Sequence, residues 1–155
     1  VKFGQEHKSQ IAKLVDVANL GLLPFAEARN GIESALASND ATTRYWGLIA
    51  CSSHGAAARE LVPAAQKCAA DDNSGLVRVR AAEFLGLLGA ADPRSVILDA
   101  LKKSTSAVEA GLMLNSVTLL RDRKPGYKFS IDKNLFSPAM RKNDTIQRRL
   151  EYLSP

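Results

Sequence analysis

Ser74-Gly75-Leu76-Val77-Arg78-Val79-Arg80-Ala81-Ala82-Glu83-Phe84-Leu85-Gly86 is the stretch on which the fold is decided. It opens on a residue suited to cap a helix and runs on through apolar and small residues at helical spacing. Two other stretches line up with it. Upstream stands Asp40-Ala41-Thr42-Thr43-Arg44-Tyr45-Trp46-Gly47-Leu48-Ile49-Ala50, and downstream Ser106-Ala107-Val108-Glu109-Ala110-Gly111-Leu112-Met113-Leu114. Aligning Arg44, Arg78 and Glu109 gives spacings of 34 and 31 residues, close to one helix–turn–helix unit per repeat.

Each stretch is followed by a break and a second helix. Ser53-His54-Gly55 leads to a helix over 58–70, with Pro63 near its first turn. Gly89-Ala90-Ala91 leads to Asp92-Pro93, a cap and a first helical position, then a half-buried helix with Leu98 and Leu101 on one face and Val96 and Ile97 alongside. The N-terminal stretch follows the same scheme. Residues 9–20 form a helix with Ile11, Leu14, Val15 and Ala18 on its inner face. Leu22-Leu23-Pro24 breaks it, and 25–38 is the partner, with Ile32, Ala35 and Leu36 inward. This predicts three helix pairs and a further first helix over 107–120.

The predicted fold class is all-α: a right-handed α–α superhelix, a HEAT/armadillo-like solenoid of about 7–8 helices. Residues 1–120 are the HEAT-like repeats. Residues 121–155 are an irregular basic segment and a capping helix of the same domain. In that segment Phe129–Phe136 has no helical period, Ser137-Pro138 opens a short turn, and Asp144 caps a last helix with Ile146, Leu150 and Leu153 on one side. The sequence begins Val1-Lys2-Phe3-Gly4 with neither Met nor signal peptide, so a fragment of a longer protein is expected.

Composition excludes several function classes. Apolar residues make up 46% and charged residues 24%, as in ordinary globular domains. No apolar run approaches the roughly 18 residues that a membrane span requires. The net charge of +5 is confined to the tail, since residues 1–120 carry 12 Lys+Arg against 12 Asp+Glu and residues 121–155 carry 9 against 4. A nucleic-acid-binding solenoid would spread its basic residues over one face of every repeat, so the census argues against nucleic acid.

The candidate interface residues are Arg44, Tyr45, Trp46, Arg78 and Arg80. Arg44 and Arg78 each follow aspartates, Asp40 for the first and Asp71 and Asp72 for the second. That pattern predicts an Asp–Arg ladder that sets stacking register; an anion-binding arginine row is the alternative, weakened by Glu109 in the third position. Tyr45-Trp46 holds the only Trp and is expected to pack between layers or domains. Cys51-Ser52-Ser53-His54 sets Cys and His near each other, but no further ligand pair completes a zinc site. His54 is expected in solvent. Cys51 sits at the negative end of a helix, which disfavours a thiolate. Cys51 and Cys68, on antiparallel helices, are expected on the order of 10 Å apart or more, too far for a disulfide. No phosphate loop, dinucleotide fingerprint or nucleophile elbow occurs. No catalytic, cofactor-binding or metal-binding residue is expected.

Thr43-Arg44-Tyr45-Trp46-Gly47-Leu48 and Val77-Arg78-Val79-Arg80-Ala81-Ala82-Glu83-Phe84-Leu85-Gly86 resemble successive HEAT-like repeats in the C-terminal extension of bacterial sulfatases of the arylsulfatase and heparan-sulfatase type. Residues 11–19 and 146–153 resemble the helices that open and close that extension. The resemblance implies a non-catalytic domain that braces a catalytic sulfatase domain of the same chain, or that meets another subunit or a sulfated glycan. It also implies a periplasmic or extracellular location. The family's CxPSR motif is missing, because Cys51-Ser52-Ser53-His54-Gly55 lacks the Pro and Arg, so no catalytic residue carries over. Any calcium would belong to a catalytic domain outside these 155 residues. A free-standing protein adaptor and a DNA-binding repeat protein are the competing readings.

Overall fold

Three side-chain caps set the register of the chain in the computed structural model, which describes residues 2–154. The Thr43 N–H donates to the Asp40 carboxylate at 2.7 Å, the Val77 N–H to the Ser74 hydroxyl at a long 3.5 Å, and the Glu109 N–H to the Ser106 hydroxyl at 3.3 Å. Each bond satisfies an N–H that the first helical turn leaves without an internal partner. The helices that follow are α4 (Ala41–His54), α6 (Gly75–Leu88) and α8 (Ala107–Arg123). The fourth residue after each cap returns its N–H to the cap carbonyl, and those residues are Arg44, Arg78 and Ala110. The structural equivalent of the two arginines is therefore Ala110, not Glu109. Glu109 matches Thr43 and Val77, and the repeat spacings become 34 and 32 residues.

The other helices are α1 (Lys2–Glu6), α2 (Lys8–Asn19), α3 (Phe25–Leu36), α5 (Val62–Asp71), α7 (Arg94–Lys103), α9 (Pro138–Arg141) and α10 (Asp144–Leu153). Short 3-10 turns cover Leu20–Leu22, Gly55–Leu61 and Lys133–Leu135. No strand occurs among the described residues, and the chain is all-helical. Val1 and Pro155, the outer bounds of the two expected segments, lie outside the described residues. Helices α2, α4, α6, α8 and α10 pack one against the next, with α3, α5 and α7 laid across them. The pairing differs from expectation: α3 lies mainly on α4 rather than α2, and α5 mainly on α6. Extended backbone at Leu23 and Pro24 carries the chain away from α2 before α3 begins. Close approach of α3 and α4 needs a bare backbone at Gly47, where a Cβ would come 3.0 Å from the Ala35 methyl.

Several boundaries move by a few residues. The helix expected over 58–70 is a 3-10 segment up to Leu61 and becomes α-helical at Val62, with Pro63 in its first turn as expected. In α7 the buried face is Ile97, Ala100 and Leu101, while Leu98 is half-buried. Asn143, not Asp144, caps α10; its side chain accepts from the Thr145 and Ile146 N–H groups. Ser137 and Pro138 open α9 as expected.

Helix α6 lies between two apolar clusters. Val77, Ala81, Phe84 and Leu85 join the first, with Ile32, Leu48 and Cys51. Val79 and Ala82 join the second, with Ile97, Leu114, Val117 and Ile146. The irregular segment after α8 is packed rather than loose: Phe136 is buried, and Tyr127, Phe129, Ile131 and Leu135 lie against the second cluster. The Tyr127 hydroxyl reaches the Gly86 carbonyl at 3.3 Å. At the other end the expected inner face of α2 is not buried. Ile11 and Val15 remain 40% and 51% exposed, and α2 buries no residue completely.

Helix α7 and the tail of α8 close over Gly86. A Cβ there would sit 2.8 Å from the Pro93 ring and 3.0 Å from a Leu120 methyl. Gly86→Val gains about 0.5 kcal/mol of helix propensity but overpacks a rigid ring at a cost of about 3 kcal/mol. Urea unfolding is expected to show a net loss of about 2 kcal/mol or more; a variant as stable as the parent would refute this packing.

Candidate functional site

The five candidate residues divide into two places. Arg44 and Arg78 bridge successive helical units. The Arg44 guanidinium grips Asp72 with two bonds, Nε to Oδ2 at 2.6 Å and Nη2 to Oδ1 at 2.9 Å, while Nη1 donates to the Ser38 carbonyl at 2.8 Å. Arg78 repeats the arrangement more loosely: Nε donates to the Ala69 carbonyl at 3.2 Å and Nη2 lies 3.3 Å from Asp99. The expected ladder is present, but its direction differs. Each arginine reaches forward to an aspartate later in the chain, and Asp40, expected as a rung, is occupied as a cap. Both guanidiniums are already held by carboxylates, which argues against an anion-binding row.

The Arg44–Asp72 pair lines an open cleft of about 520 Å³ together with Glu33, Asn39, Lys67 and Asp71. The two side chains are only 16% and 5% exposed. Burial works to raise the Asp72 pKa, but the Arg44 bonds and the Ser74 N–H outweigh it, and the carboxyl is held below its usual value of 3.8. Strong bidentate contact of this kind is directional as well as attractive, so it fixes the angle between units.

Tyr45, Trp46 and Arg80 come together on a different face. Arg80 stands with its guanidinium carbon 5.2 Å from the Tyr45 ring centre and donates to the Tyr45 hydroxyl at 3.1 Å. Its Nη1 also donates to Glu83 at 2.7 Å. Glu83 is 1% exposed. Without Arg80 that charge would be stranded in the core. Trp46 meets Tyr45 edge-on, with centres 6.1 Å apart. Trp46 is half-buried and belongs to neither apolar cluster, so the expected inter-layer burial is only partial. Cap registration makes Trp46, Arg80 and Leu112 equivalent positions on successive helices.

Glu83 and Asp99 are functional partners that the sequence reading did not single out. Arg80 and Glu83 stand at i,i+3 on one helix face, which was the available signal. Asp99 pairs locally with Lys103 at i+4, 3.0 Å away, but nothing local reveals its second partner Arg78, 21 residues earlier.

Of the cysteine and histidine expectations, the one for His54 changes. Cys51 and Cys68 are free and share one apolar cluster. Burial, with a smaller contribution from the Cys68 charge, pushes the Cys51 thiol up to about 12. His54 is not simply solvated: Nε2 lies 2.9 Å from the Leu20 carbonyl, and Phe25 packs edge-on at 5.3 Å. It ties α4 to the turn after α2. Among the described residues no group of three or more His, Cys, Asp or Glu is placed to hold a metal ion.

Comparison with known protein families, with curated proteins and with solved structures yields no match for this chain.

Arg44→Ala leaves a largely buried carboxylate without its partner. A loss of about 2–3 kcal/mol is expected in urea unfolding at neutral pH. The sign of the pH dependence follows from the lowered Asp72 pKa. The pair stabilises the fold fully above the usual 3.8 and loses that contribution as pH falls through the lower folded value. The gap between parent and Arg44→Ala should therefore narrow in acid; a gap independent of pH would refute the assignment.

Proposed function

We propose that this chain is a non-catalytic helical-repeat module of HEAT-like type, a right-handed α–α superhelix, which binds and braces another protein domain. The observation that carries this reading is the Tyr45–Trp46–Arg80 face. It joins a half-buried Trp outside the core to a Tyr and an Arg already locked in place by Glu83. Trp, Tyr and Arg are the side chains that dominate protein-interface energetics. Arg80 loses little further freedom on binding because its fork is already held, which lowers the entropic cost of docking.

The partner that fits best is a catalytic sulfatase domain of the same chain. Support for it is the resemblance of residues 43–48 and 77–86 to the repeats of sulfatase C-terminal extensions. On that reading the hydrolytic residues and any calcium belong to the partner domain, and the location is periplasmic or extracellular. The high pKa of Cys51 supports a packing role for the one cysteine that stands near a histidine in sequence.

The test has two parts. The coding sequence upstream of Val1 is read for an α/β domain bearing CxPSR, whose absence removes the sulfatase reading and leaves the adaptor. The upstream domain is then titrated calorimetrically with this chain and with the Trp46→Ala/Arg80→Gln variant. The variant should weaken binding at least about tenfold, or 1.4 kcal/mol, with helix content retained in circular dichroism. Unchanged affinity would show that this face is not the docking surface.

A further inference from the structure

Arg149 stands on α10 where Arg80 stands on α6. Both lie six residues after the cap of their helix, Asn143 for the first and Ser74 for the second. In each helix the fourth residue after that cap, Gln147 or Arg78, returns its N–H to the cap carbonyl, so the two counts describe the same turns. The two arginines differ in their neighbours. Arg80 is held by Glu83 of its own helix and lies over the Tyr45 ring of α4, the repeat helix before it. At the place of Glu83, α10 carries Tyr152, which turns away to donate its hydroxyl to Asp122 at 3.0 Å and to stack on Arg121. At the place of Tyr45, five residues after the cap, α8 carries Gly111. Helices α8 and α10 run side by side in one direction, since Gly111 meets Thr145 and Arg121 meets Tyr152. Arg149 therefore has neither a carboxylate nor a phenol beside it, and no hydrogen bond or ion pair joins it to any described residue.

Between α8 and α10 the missing side chains leave a pocket of about 230 Å³. Gly111, Leu112, Asn115, Thr145 and Arg149 line it, with Val108 at its edge. Arg149 is the one charged side chain of that lining, and no carboxylate contributes to it. Arg149 Nε and Asn115 Oδ1 are shielded from solvent and have no protein partner. A buried donor and a buried acceptor without partners cost free energy until something pairs them. Val108, 74% exposed, and half-buried Leu112 give the pocket an apolar side. Its volume is below the roughly 300–1,000 Å³ of sites for drug-sized molecules, so the ligand it fits is small.

We propose that this pocket binds a small aromatic carboxylate, with the carboxylate on the Arg149 fork and the ring over Gly111 against Val108 and Leu112. Such a ligand supplies to Arg149 the two groups that Glu83 and Tyr45 supply to Arg80. A hydroxyl on the ring donates to Asn115 Oδ1. The site is separate from the Tyr45–Trp46–Arg80 face and does not depend on what that face binds.

Calorimetric titration of the 155-residue chain with benzoate and with the three hydroxybenzoates tests this. The best of the four should bind at one site with Kd on the order of 0.1–1 mM. Arg149→Gln should weaken it at least about tenfold, with helix content unchanged in circular dichroism. Arg148→Gln, on the exposed side of the same helix, should leave binding as it is. One hydroxybenzoate should exceed benzoate by at least about threefold, and Asn115→Leu should erase that advantage without lowering the urea midpoint of the ligand-free chain. Inorganic phosphate and acetate should each bind at least about tenfold more weakly. No binding of any of the four at about 10 mM overturns the proposal, and so does binding that survives Arg149→Gln. Phosphate or acetate binding as tightly as the aromatic acids would make this a general oxyanion site and overturn the aromatic assignment. A hydroxyl advantage that persists in Asn115→Leu would overturn the role of Asn115.

Discussion

Helix α6 is packed on nearly every side, and most of the molecule is arranged around that fact. It touches α4, α5, α7 and α8, and it contributes to both apolar clusters. A helix so enclosed has no solvent face on which to place charge, yet it carries Arg78, Arg80 and Glu83. Each of the three is resolved by a specific partner. Arg78 leaves through the gap towards Ala69 and Asp99, while Arg80 and Glu83 neutralise one another beneath Tyr45. The charged groups on α6 thus lie where the helix meets its neighbours, and they set how those neighbours sit.

That arrangement explains why register and docking face arise from the same residues. A buried ion pair contributes little net stability, because desolvation offsets most of the attraction. Its main effect is selective: a slip of α4 along α6 would part Arg80 from the Tyr45 hydroxyl and uncouple Arg44 from Asp72 together. The side chains that fix α4 against α6 also hold Tyr45 and Arg80 against one another beside Trp46. Rigidity of the stack and pre-organisation of the proposed interface are therefore the same physical property.

Local chemistry made much of this legible in the sequence. Asp40, Ser74 and Ser106 are caps of ordinary kind, Pro63 and Pro138 stand in first turns, and the helical period is clear from 74 to 86. Where the reading slipped, the deciding term was not local. Glu109 was matched to Arg44 and Arg78 by appearance, whereas the cap bond counts from Ser106 and selects Ala110. Leu98 gave way to Ile97 because α7 rotates to meet α6 and α8. His54 was placed in solvent because nothing nearby in sequence reveals Leu20 and Phe25, some 30 residues earlier, as its partners. Residues 127–136 have no period at all, yet they pack; aromatic and aliphatic side chains without periodicity can still line a core when the backbone is extended. For the candidate face, the residue types were visible but their grouping was not. Arg44 and Arg80 are both largely enclosed arginines, and only the fold shows that the first is held by Asp72 and the second by Glu83 and Tyr45.

The forward reach of the arginines has a bearing on how such a chain can change length. A unit in this stack is joined to the next by a residue it owns and a residue its successor owns, as Arg44 is to Asp72 and Arg78 to Asp99. Duplicating one unit intact would reproduce both halves of the joint, so growth in whole units is tolerated at the seam. Ala110 holds the corresponding place in the last unit and offers no guanidinium to a successor. The series of joints therefore ends at α8, and α10 packs onto that helix through apolar contact without one.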